Sequence, residues 1–394
     1  MKRSKIDAEY VKGFRVKLYP TEDQKEELIR LLNGARAIYN YGLAINNQHH
    51  DDTNIWLHYF DMQNEIFSLA KKSGYEWIND IPKSIIKGSL QNLDTAVTKF
   101  LDRNLHHRRP RFKSRKDKQK SFRTRSERCH IYGDHIFISG MSTRILAKDH
   151  KIPEKTRLYN TIVSYDGYNF WFSCNIEIEP IDFSDIPKSD PIGIDVGIVN
   201  IITTSDGEFF HFPDTSKYKK RIKQKEKRLQ KDYSYYRSLA LSKKTKYCDI
   251  PKSKNHIKRQ YSQFKDYQKI KNKNHTELNT FTKRIVDKNP SAIVIEGGLS
   301  AQEQLGKFYF SGEQKEKIMY YEIHRQLKYK AHNRGIPVIE APADFPSSKR
   351  CNRCGNIGYF FHREFRCPHC GYRTDRDLNA AYNLKDLAYQ NIPI

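Results

Sequence analysis

The sequence has no apolar run of 18 or more residues, the length that a membrane-spanning helix requires. Its first ten residues are mostly polar or charged, which argues against a secretory signal. Apolar residues are scarce: counted with Gly and without Tyr they form about 36% of the chain, against roughly 45–50% in a typical protein. The cysteines number seven, with four in one 20-residue window and three scattered, a pattern that is not a disulfide framework and instead indicates a reducing compartment. The length of 394 residues allows two or three domains.

Positive charge is in excess, with 71 Lys and Arg against 46 Asp and Glu and a net charge of +25. Residues 103–128 contain 12 basic and 2 acidic residues, and residues 217–273 contain 21 and 4, so two segments hold the whole excess. Aromatic residues are interleaved with these cations. Cations neutralise phosphates and rings stack on unpaired bases, so the pattern predicts a nucleic-acid partner. A solvated surface or a disordered tail is the alternative.

Hydrophobic periodicity divides the chain into two halves. In the first half, Thr21 and Gln24 form a capping box before one helix, and a second helix is expected over Lys83–Leu101. Strands follow from residue 131, with a hairpin turn at Asp166-Gly167. The Pro-rich residues 180–191 are typical of a linker. Beyond them apolar strands alternate with helices, which predicts an α/β layer fold.

Four of the cysteines form two pairs, Cys351 with Cys354 and Cys367 with Cys370. Twelve residues separate the pairs, and a glycine follows each pair where a tight turn around a metal needs one. Thiolates at this spacing suit one tetrahedral zinc ion with no open coordination position. Reduced cysteines without a metal are the alternative. The spacing therefore predicts one structural zinc site.

Three acidic residues end or interrupt separate elements of the C-terminal half, and at one of them, Asp195, an unpaired buried carboxylate would cost several kcal/mol of folding free energy. Asp195 interrupts the buried-strand pattern Ile192-Gly-Ile-Asp-Val-Gly, Glu296 ends the apolar run Ala292-Ile-Val-Ile-Glu, and Asp377 opens the last helix. Taken singly, each could be a salt-bridged acid or a helix cap, and Asp375 in particular suits an N-cap. Convergent carboxylates bind Mg²⁺, which can activate water and stabilise a leaving oxygen. Together they predict metal-dependent phosphodiester hydrolysis.

At these positions the sequence resembles the TnpB family of transposon-encoded, RNA-guided nucleases, whose RuvC domain is shared by compact type V CRISPR effectors. The order of the two strand motifs, the two cysteine pairs and Asp375-Arg-Asp-Leu-Asn-Ala-Ala carries the resemblance. In the N-terminal half it extends to Phe14-Arg-Val-Lys-Leu-Tyr-Pro, Gly34-Ala-Arg-Ala-Ile-Tyr-Asn and Pro110-Arg-Phe-Lys-Ser. The similarity therefore spans nearly the whole chain.

The resemblance implies a multidomain α+β architecture. The implied parts are a wedge-like β-barrel at residues 1–20 and 129–180, a helical recognition lobe at 21–128, a linker at 181–191, a RuvC (RNase H-like) nuclease domain at 192–345 and 373–394, and a zinc-ribbon insertion that binds target nucleic acid at 346–372.

The resemblance also assigns the catalytic residues. They are Asp195, Glu296 and Asp377, which would bind catalytic Mg²⁺, expected as two ions, while the four paired cysteines bind one structural Zn²⁺. Asp377 is preferred to Asp375 because the family pattern is Asp-x-Asn with a variable preceding acid. Gly297-Gly298 departs from the family pattern without removing a ligand.

The implied activity is RNA-guided DNA endonuclease, with sequence choice delegated to pairing between a guide RNA and target DNA beside a short flanking motif. The expected partners are a transposon-derived guide RNA and double-stranded DNA, with no membrane. The expected location is the cytoplasm at the nucleoid, or the nucleus in a eukaryotic host. Charge alone selects the candidate nucleic-acid contacts Arg109, Arg111, Lys113, Arg115, Lys220 and Arg221.

Three alternatives stay open at this point. One is a compact type V CRISPR effector, which keeps the chemistry and changes the origin of the guide. Another is a nuclease-inactive, RNA-guided DNA-binding repressor. The last is a guide-independent RNase H-like nuclease or resolvase, which leaves the basic N-terminal half unexplained.

Overall fold

The computed structural model describes residues 11–102, 107–115, 117, 119–178, 188–197, 199–247, 250–297, 320–342 and 344–391. Contacts within the chain divide it into two compact units, Met1–Glu179 and Pro180–Ile394. Most of the predicted linker, residues 181–187, lies outside the described residues.

The N-terminal unit contains two antiparallel sheets. Their strands are β1 (Val11–Leu18), β2 (Lys120–Arg123), β3 (His130–Tyr132), β4 (His135–Phe137), β5 (Ile145–Leu146), β6 (Tyr159–Tyr165) and β7 (Phe170–Glu177). The larger sheet has the order β1-β7-β6-β2 and the smaller one β3-β4-β5. The predicted hairpin at Asp166-Gly167 is confirmed, because Tyr165 pairs with Phe170 across it. In the part of the chain that the structure describes, β1 and β2 are the two edges of an open sheet, so the predicted closed barrel is not found.

Three α-helices of the described N-terminal residues pack with these sheets: α1 (Glu22–Thr53), α2 (Tyr59–Leu69) and α3 (Lys83–Leu101). The predicted capping box is confirmed, since the Thr21 hydroxyl accepts from the Gln24 backbone N–H and the Gln24 side chain accepts from the Thr21 N–H. The predicted α3 is confirmed as well. The helices bury aliphatic side chains such as Leu32 and Leu90 in one core with Phe122 and Phe172 of the sheet. The hydrophobic stripes on α1 and α3 are therefore core positions.

The C-terminal unit is a mixed sheet between helices. Its strands are β8 (Ile192–Asp195), β9 (Ile202–Thr204), β10 (Phe209–Phe210), β11 (Ile293–Glu296) and β12 (Val338–Ala341). The order is β10-β9-β8-β11-β12, in which β8, β11 and β12 are parallel and β9 and β10 are antiparallel to their neighbours. The strands alternate with helices, as the sequence predicts.

Among the described residues, four helices belong to this unit: α4 (Ser216–Ser242), α5 (Lys254–Asp287), α6 (Tyr320–His332) and α7 (Arg376–Asn391). Apolar residues of α5 and α6 cover one face of the sheet, and α7 covers the other. Helices α4 and α5 form a long hairpin between β10 and β11, and Asp266 is buried inside it against Lys225. No helix within the described ranges is both long and apolar enough to cross a membrane.

A small antiparallel sheet lies between β12 and α7 in the sequence. It consists of β13 (Tyr359–Phe361), β14 (Glu364–Arg366) and β15 (Arg373–Asp375), in the order β13-β14-β15. Phe365 is fully buried with Cys351 and Cys367 in a separate core. The sheet leads directly into α7, so the cysteine segment and that helix are joined without a connecting loop.

Candidate functional site

Two of the predicted acids end adjacent parallel strands. The register of β8 and β11 pairs Ile192 with Ile293 and Ile194 with Ile295. Asp195 and Glu296 follow these pairs as the last residues of their strands. Because both strands run in the same direction, the two carboxylates lie at the same edge of the sheet.

The third acid is brought to the sheet by α7. A Cβ at Gly193 would lie 2.0 Å from the Ala381 carbonyl oxygen, so glycine is what lets α7 pack directly on β8. Asp377 lies in the first turn of α7, one turn before Ala381. The Asp375 carboxylate accepts from the backbone N–H groups of Asp377 at 2.9 Å and Leu378 at 3.2 Å. Asp375 therefore caps the helix, which leaves the Asp377 carboxylate for other partners.

The electrostatics of the site suit a cation. Burial raises the pKa of Asp195 well above its usual range, and the negative charges of Asp377 and Glu296 raise it further. Burial also raises the pKa of Glu296, against a smaller opposing effect of the Arg376 guanidinium. A divalent cation would relieve this repulsion, and carboxylates are the ligands that Mg²⁺ prefers. The three acids thus fit a metal by charge and chemistry, although their oxygens do not form a close ligand group of the kind the cysteines form in the described part of the chain.

Two further side chains contact Asp377, and the sequence analysis missed both. Asn200 donates to the Asp377 carboxylate at 3.1 Å. Arg363, at the turn between β13 and β14, forms an ion pair with the same carboxylate and lies 3.5 Å from Asp375. Nothing in the local sequence marks Asn200. The one feature of the sequence that marks Arg363 is its position between the two cysteine pairs, shortly before Asp375 and Asp377.

The four predicted metal ligands come together. The Cys351 and Cys370 sulfurs are 3.7 Å apart, those of Cys354 and Cys367 are 3.5 Å apart, and all four lie within 4.8 Å of one another. Sulfurs around a tetrahedral zinc at 2.3 Å would be separated by about 3.8 Å. The cluster could therefore hold a metal ion, and four thiolates are the donor set that structural zinc prefers.

The turns after each cysteine pair explain the two glycines. Gly355 and Gly371 have φ values of 77° and 69°, a left-handed conformation that favours glycine. Their N–H groups donate to the carbonyls of Cys351 at 2.8 Å and Cys367 at 3.1 Å. A main-chain hydrogen bond at Asn356 lowers the pKa of the Cys354 thiol to about 6, which favours the thiolate.

Two buried asparagines of α7 fasten the cysteine segment to the helix that carries Asp377. The Asn383 amide donates to the carbonyls of Ser347 and Arg350, both at 2.7 Å. Asn379 also donates to Arg350 at 2.7 Å, and its side-chain oxygen accepts from the Asn352 N–H. The position of Asp377 thus depends on the fold of the metal module.

The six candidate nucleic-acid contacts lie on two segments. Arg109, Arg111, Lys113 and Arg115 lie on the exposed segment 107–115, and Lys220 and Arg221 lie on α4. Some already have protein partners. The Arg109 guanidinium lies over the Trp56 ring, the Lys113 ammonium is 3.7 Å from the centre of the Tyr39 ring, and Arg221 is 3.2 Å from Asp266. Desolvation lowers the pKa of Lys113.

Two family models match parts of the chain. Residues 320–384 match the Cas12f1-like TNB domain, a range that covers α6, β12, the metal module and Asp377. Residues 11–54 match a helix-turn-helix domain of the OrfB/IS605 type. In the structure that range holds β1 and the single continuous helix α1, so over residues 11–54 no second helix is present.

Relatives match over nearly the whole chain. The protein "Putative RNA-guided DNA endonuclease InsQ" of Escherichia coli (strain K12) is 25% identical over 95% of this chain and 91% of its own length. A protein of Streptomyces pristinaespiralis, "Putative RNA-guided DNA endonuclease", is 24% identical over 95% of this chain and 88% of its own. The "CRISPR-associated endodeoxyribonuclease Cas12f1" of Sulfoacidibacillus thermotolerans is 38% identical over 16% of each chain. These matches confirm the resemblance to the TnpB family.

Proposed function

We propose that this protein is an RNA-guided DNA endonuclease of the TnpB type. The observation that carries the proposal is that Asp195 and Glu296 end adjacent parallel strands of the mixed sheet, while the Asp377 carboxylate on α7 is close enough to raise the pKa of Asp195. The similarity to named RNA-guided endonucleases over 95% of the chain supports the same interpretation. The reaction is hydrolysis of a DNA phosphodiester after a guide RNA pairs with its target.

Asp195, Glu296 and Asp377 are the residues that would hold catalytic Mg²⁺. When bound, the metal supplies a Lewis acid that activates water and stabilises the leaving oxygen, with two ions expected. Asn200 holds the Asp377 carboxylate in place at 3.1 Å. Arg363 places a positive charge beside the same carboxylate, where it neutralises charge at the edge that a DNA phosphate would approach.

The remaining parts of the chain would hold nucleic acid. The N-terminal unit takes the roles of wedge and recognition lobe, residues 192–345 and 373–394 form the RuvC domain, and the module at residues 346–372, with its structural zinc, contacts the target. The exposed basic segment 107–115 and the basic hairpin α4–α5 would bind the guide RNA or its duplex with the target through phosphates. The protein would act where DNA is, at the nucleoid or in the nucleus of a eukaryotic host.

The test begins with sequencing of the RNA that co-purifies with the protein from its native locus. A discrete species with a fixed scaffold and one variable end supplies the target for a cleavage assay in Mg²⁺. Asp377→Asn should abolish cleavage and leave guided DNA binding intact, because the carboxylate that would hold the metal is lost, together with its ion pair to Arg363, while the basic surfaces are unchanged. Asp375→Asn is the matched control, since the amide oxygen still caps α7, and it should cut at a rate close to wild type.

Cleavage that persists in both Asp195→Ala and Asp377→Asn would refute the assignment of these acids as metal ligands. Recovery of only fragmented cellular RNA would refute the use of a guide RNA. A scaffold derived from CRISPR repeats would indicate the effector alternative.

A further inference from the structure

The outer end of the α4–α5 hairpin is a separately packed structure. We call residues 227–259 the distal arm. Tyr236, Ala240 and Ile250 form its own small core, distinct from the core under the sheet. Leu278 of α5 belongs to the sheet core, and His256 lies 22 residues earlier on the same helix. At a rise of 1.5 Å per residue, the arm's core lies about 33 Å along α5 from the sheet.

One face of the arm exposes an aromatic and an aliphatic side chain around a cation. Tyr233, Arg237 and Leu241 are spaced by four residues on α4, so they lie on one side of the helix. Tyr233 is 48% exposed and Leu241 is 73% exposed. The centres of the Tyr233 and Tyr247 rings are 4.9 Å apart, and the Lys252 ammonium lies 3.6 Å from the centre of the Tyr247 ring. The Tyr233 ring is therefore packed against Tyr247 on one side and partly exposed to solvent.

The charge of the arm identifies the kind of partner. It contains 11 basic and 2 acidic residues, a net charge of +9 in 33 residues. One of the acids, Asp232, is already bound by His256 at 3.0 Å and by Arg259. A polyanion complements this surface, and an exposed ring among cations suits a base that is not paired. Folded RNAs offer unpaired bases in loops and ends, whereas duplexes hide their base faces.

We propose that the distal arm binds an unpaired stretch of RNA, with one base stacked on Tyr233 beside Arg237 and Leu241. This rests on the proposed function, in which a guide RNA is the resident partner. The bound stretch would be a loop or single-stranded end of that RNA. The arm thereby holds RNA at a distance of about 33 Å from the sheet that carries the acids.

The test uses the full-length protein freed of co-purified RNA, a 15-nucleotide oligouridine containing 4-thiouridine, and a 15-base-pair RNA duplex. Tyr233→Ala should weaken binding of the oligouridine by roughly 5- to 150-fold, the loss of one stacked base, and should leave the duplex affinity unchanged. Tyr233→Trp should retain the wild-type affinity. Photocrosslinking should modify the peptide that contains Tyr233.

Tyr235→Ala is the matched control. Tyr235 is 63% exposed on the same helix but lies roughly 160° around its axis from Tyr233, so its removal should not change binding. If Tyr233→Ala and Tyr235→Ala reduce the oligouridine affinity equally, stacking on this face is overturned. The same holds if Tyr233→Ala reduces the affinities for oligouridine and for the duplex equally. Equal binding of an oligodeoxythymidine would overturn the choice of RNA, and a changed oligomeric state with unchanged RNA binding would indicate a protein contact instead.

Failure of this inference and failure of the proposed function are distinguishable. Guided cleavage by a protein whose Tyr233→Ala variant binds oligouridine normally would refute the RNA site on the arm alone. Binding of oligouridine that depends on Tyr233, in a protein that never cuts guided DNA, would refute the nuclease alone. Circular dichroism and the thermal midpoint of each variant verify that the hairpin is folded. If Tyr233→Ala is not folded, Tyr233→Leu replaces it, because leucine removes the aromatic ring and keeps much of the apolar volume.

Discussion

Replacing Gly193 with alanine tests how the sheet positions the third acid. The new Cβ would lie 2.0 Å from the Ala381 carbonyl oxygen and 2.4 Å from the Lys385 nitrogen, both of them main-chain atoms of α7. Real Cβ contacts essentially never fall under 3.0 Å, so strand and helix would have to separate by about 1 Å. Because Asp377 lies one turn before Ala381, its carboxylate would move with the helix.

Two effects of different size should follow. Overpacking of this kind costs about 1–3 kcal/mol of unfolding free energy, a fall of roughly 2–10 °C in the thermal midpoint. A displacement of about 1 Å at a catalytic group costs roughly 100-fold in rate. Guided cleavage at saturating Mg²⁺ should therefore fall about 100-fold, while the affinity of the guide RNA stays close to wild type.

Gly207→Ala is the control for the general cost of losing a glycine. Gly207 has a φ of 86°, and a Cβ added there would have nothing within 4 Å. Alanine at this position therefore lowers the free energy of unfolding only through backbone strain, by about 1–2 kcal/mol. It should lower the thermal midpoint and leave cleavage unchanged. If Gly193→Ala cuts at the wild-type rate, or if Gly207→Ala loses as much cleavage activity as Gly193→Ala, the close approach of α7 does not set the position of Asp377.

Three further predictions concern the charges and the metal module. Asp195→Asn should raise the thermal midpoint of the Mg²⁺-free protein at pH 8, because the pKa of Asp195 is raised in the folded state and the wild type therefore loses stability as pH rises above the usual pKa of 3.8. This gain in thermal midpoint should vanish near pH 3, and Mg²⁺ should stabilise only the wild type. Cys367→Ser should lower bound zinc from one ion per chain to none by elemental analysis and slow cleavage, since Arg363 is held by the same module, whereas Cys129→Ala should keep the zinc. Asn383→Ala should cost about 1–3 kcal/mol in thermal or urea unfolding, because two main-chain carbonyls lose a buried donor, and an unchanged midpoint would show that water replaces the amide.

The features that the sequence predicted well are encoded locally. The cysteine spacing and the glycine after each pair specify the metal turns, and Thr21 with Gln24 specifies the start of α1. The three acids were chosen because each ends or opens an element, and the parallel strands β8 and β11 end together at Asp195 and Glu296, while the role of the acids as metal ligands stays a prediction. In each case a few neighbouring residues carry the information.

The features that could not be predicted depend on residues distant in the sequence. Barrel closure was expected from resemblance, but in the described residues β1 and β2 remain sheet edges. The contact of Arg363 with Asp377 depends on how the β13–β14 turn meets α7. Charge alone also overestimated the free cations of the α4–α5 hairpin, because Arg221 and Lys225 are paired with buried Asp266.

The order of the three acids along the chain has a consequence for synthesis. The ribosome makes the basic segments and Asp195 early, then Glu296, and Asp377 only after the metal module that fastens its helix. A polypeptide that stops before α7 would carry the cationic surfaces and two acids but no complete cutting site. Premature termination before α7 would also leave one face of the sheet uncovered, so the third acid and the packing behind the other two are lost together.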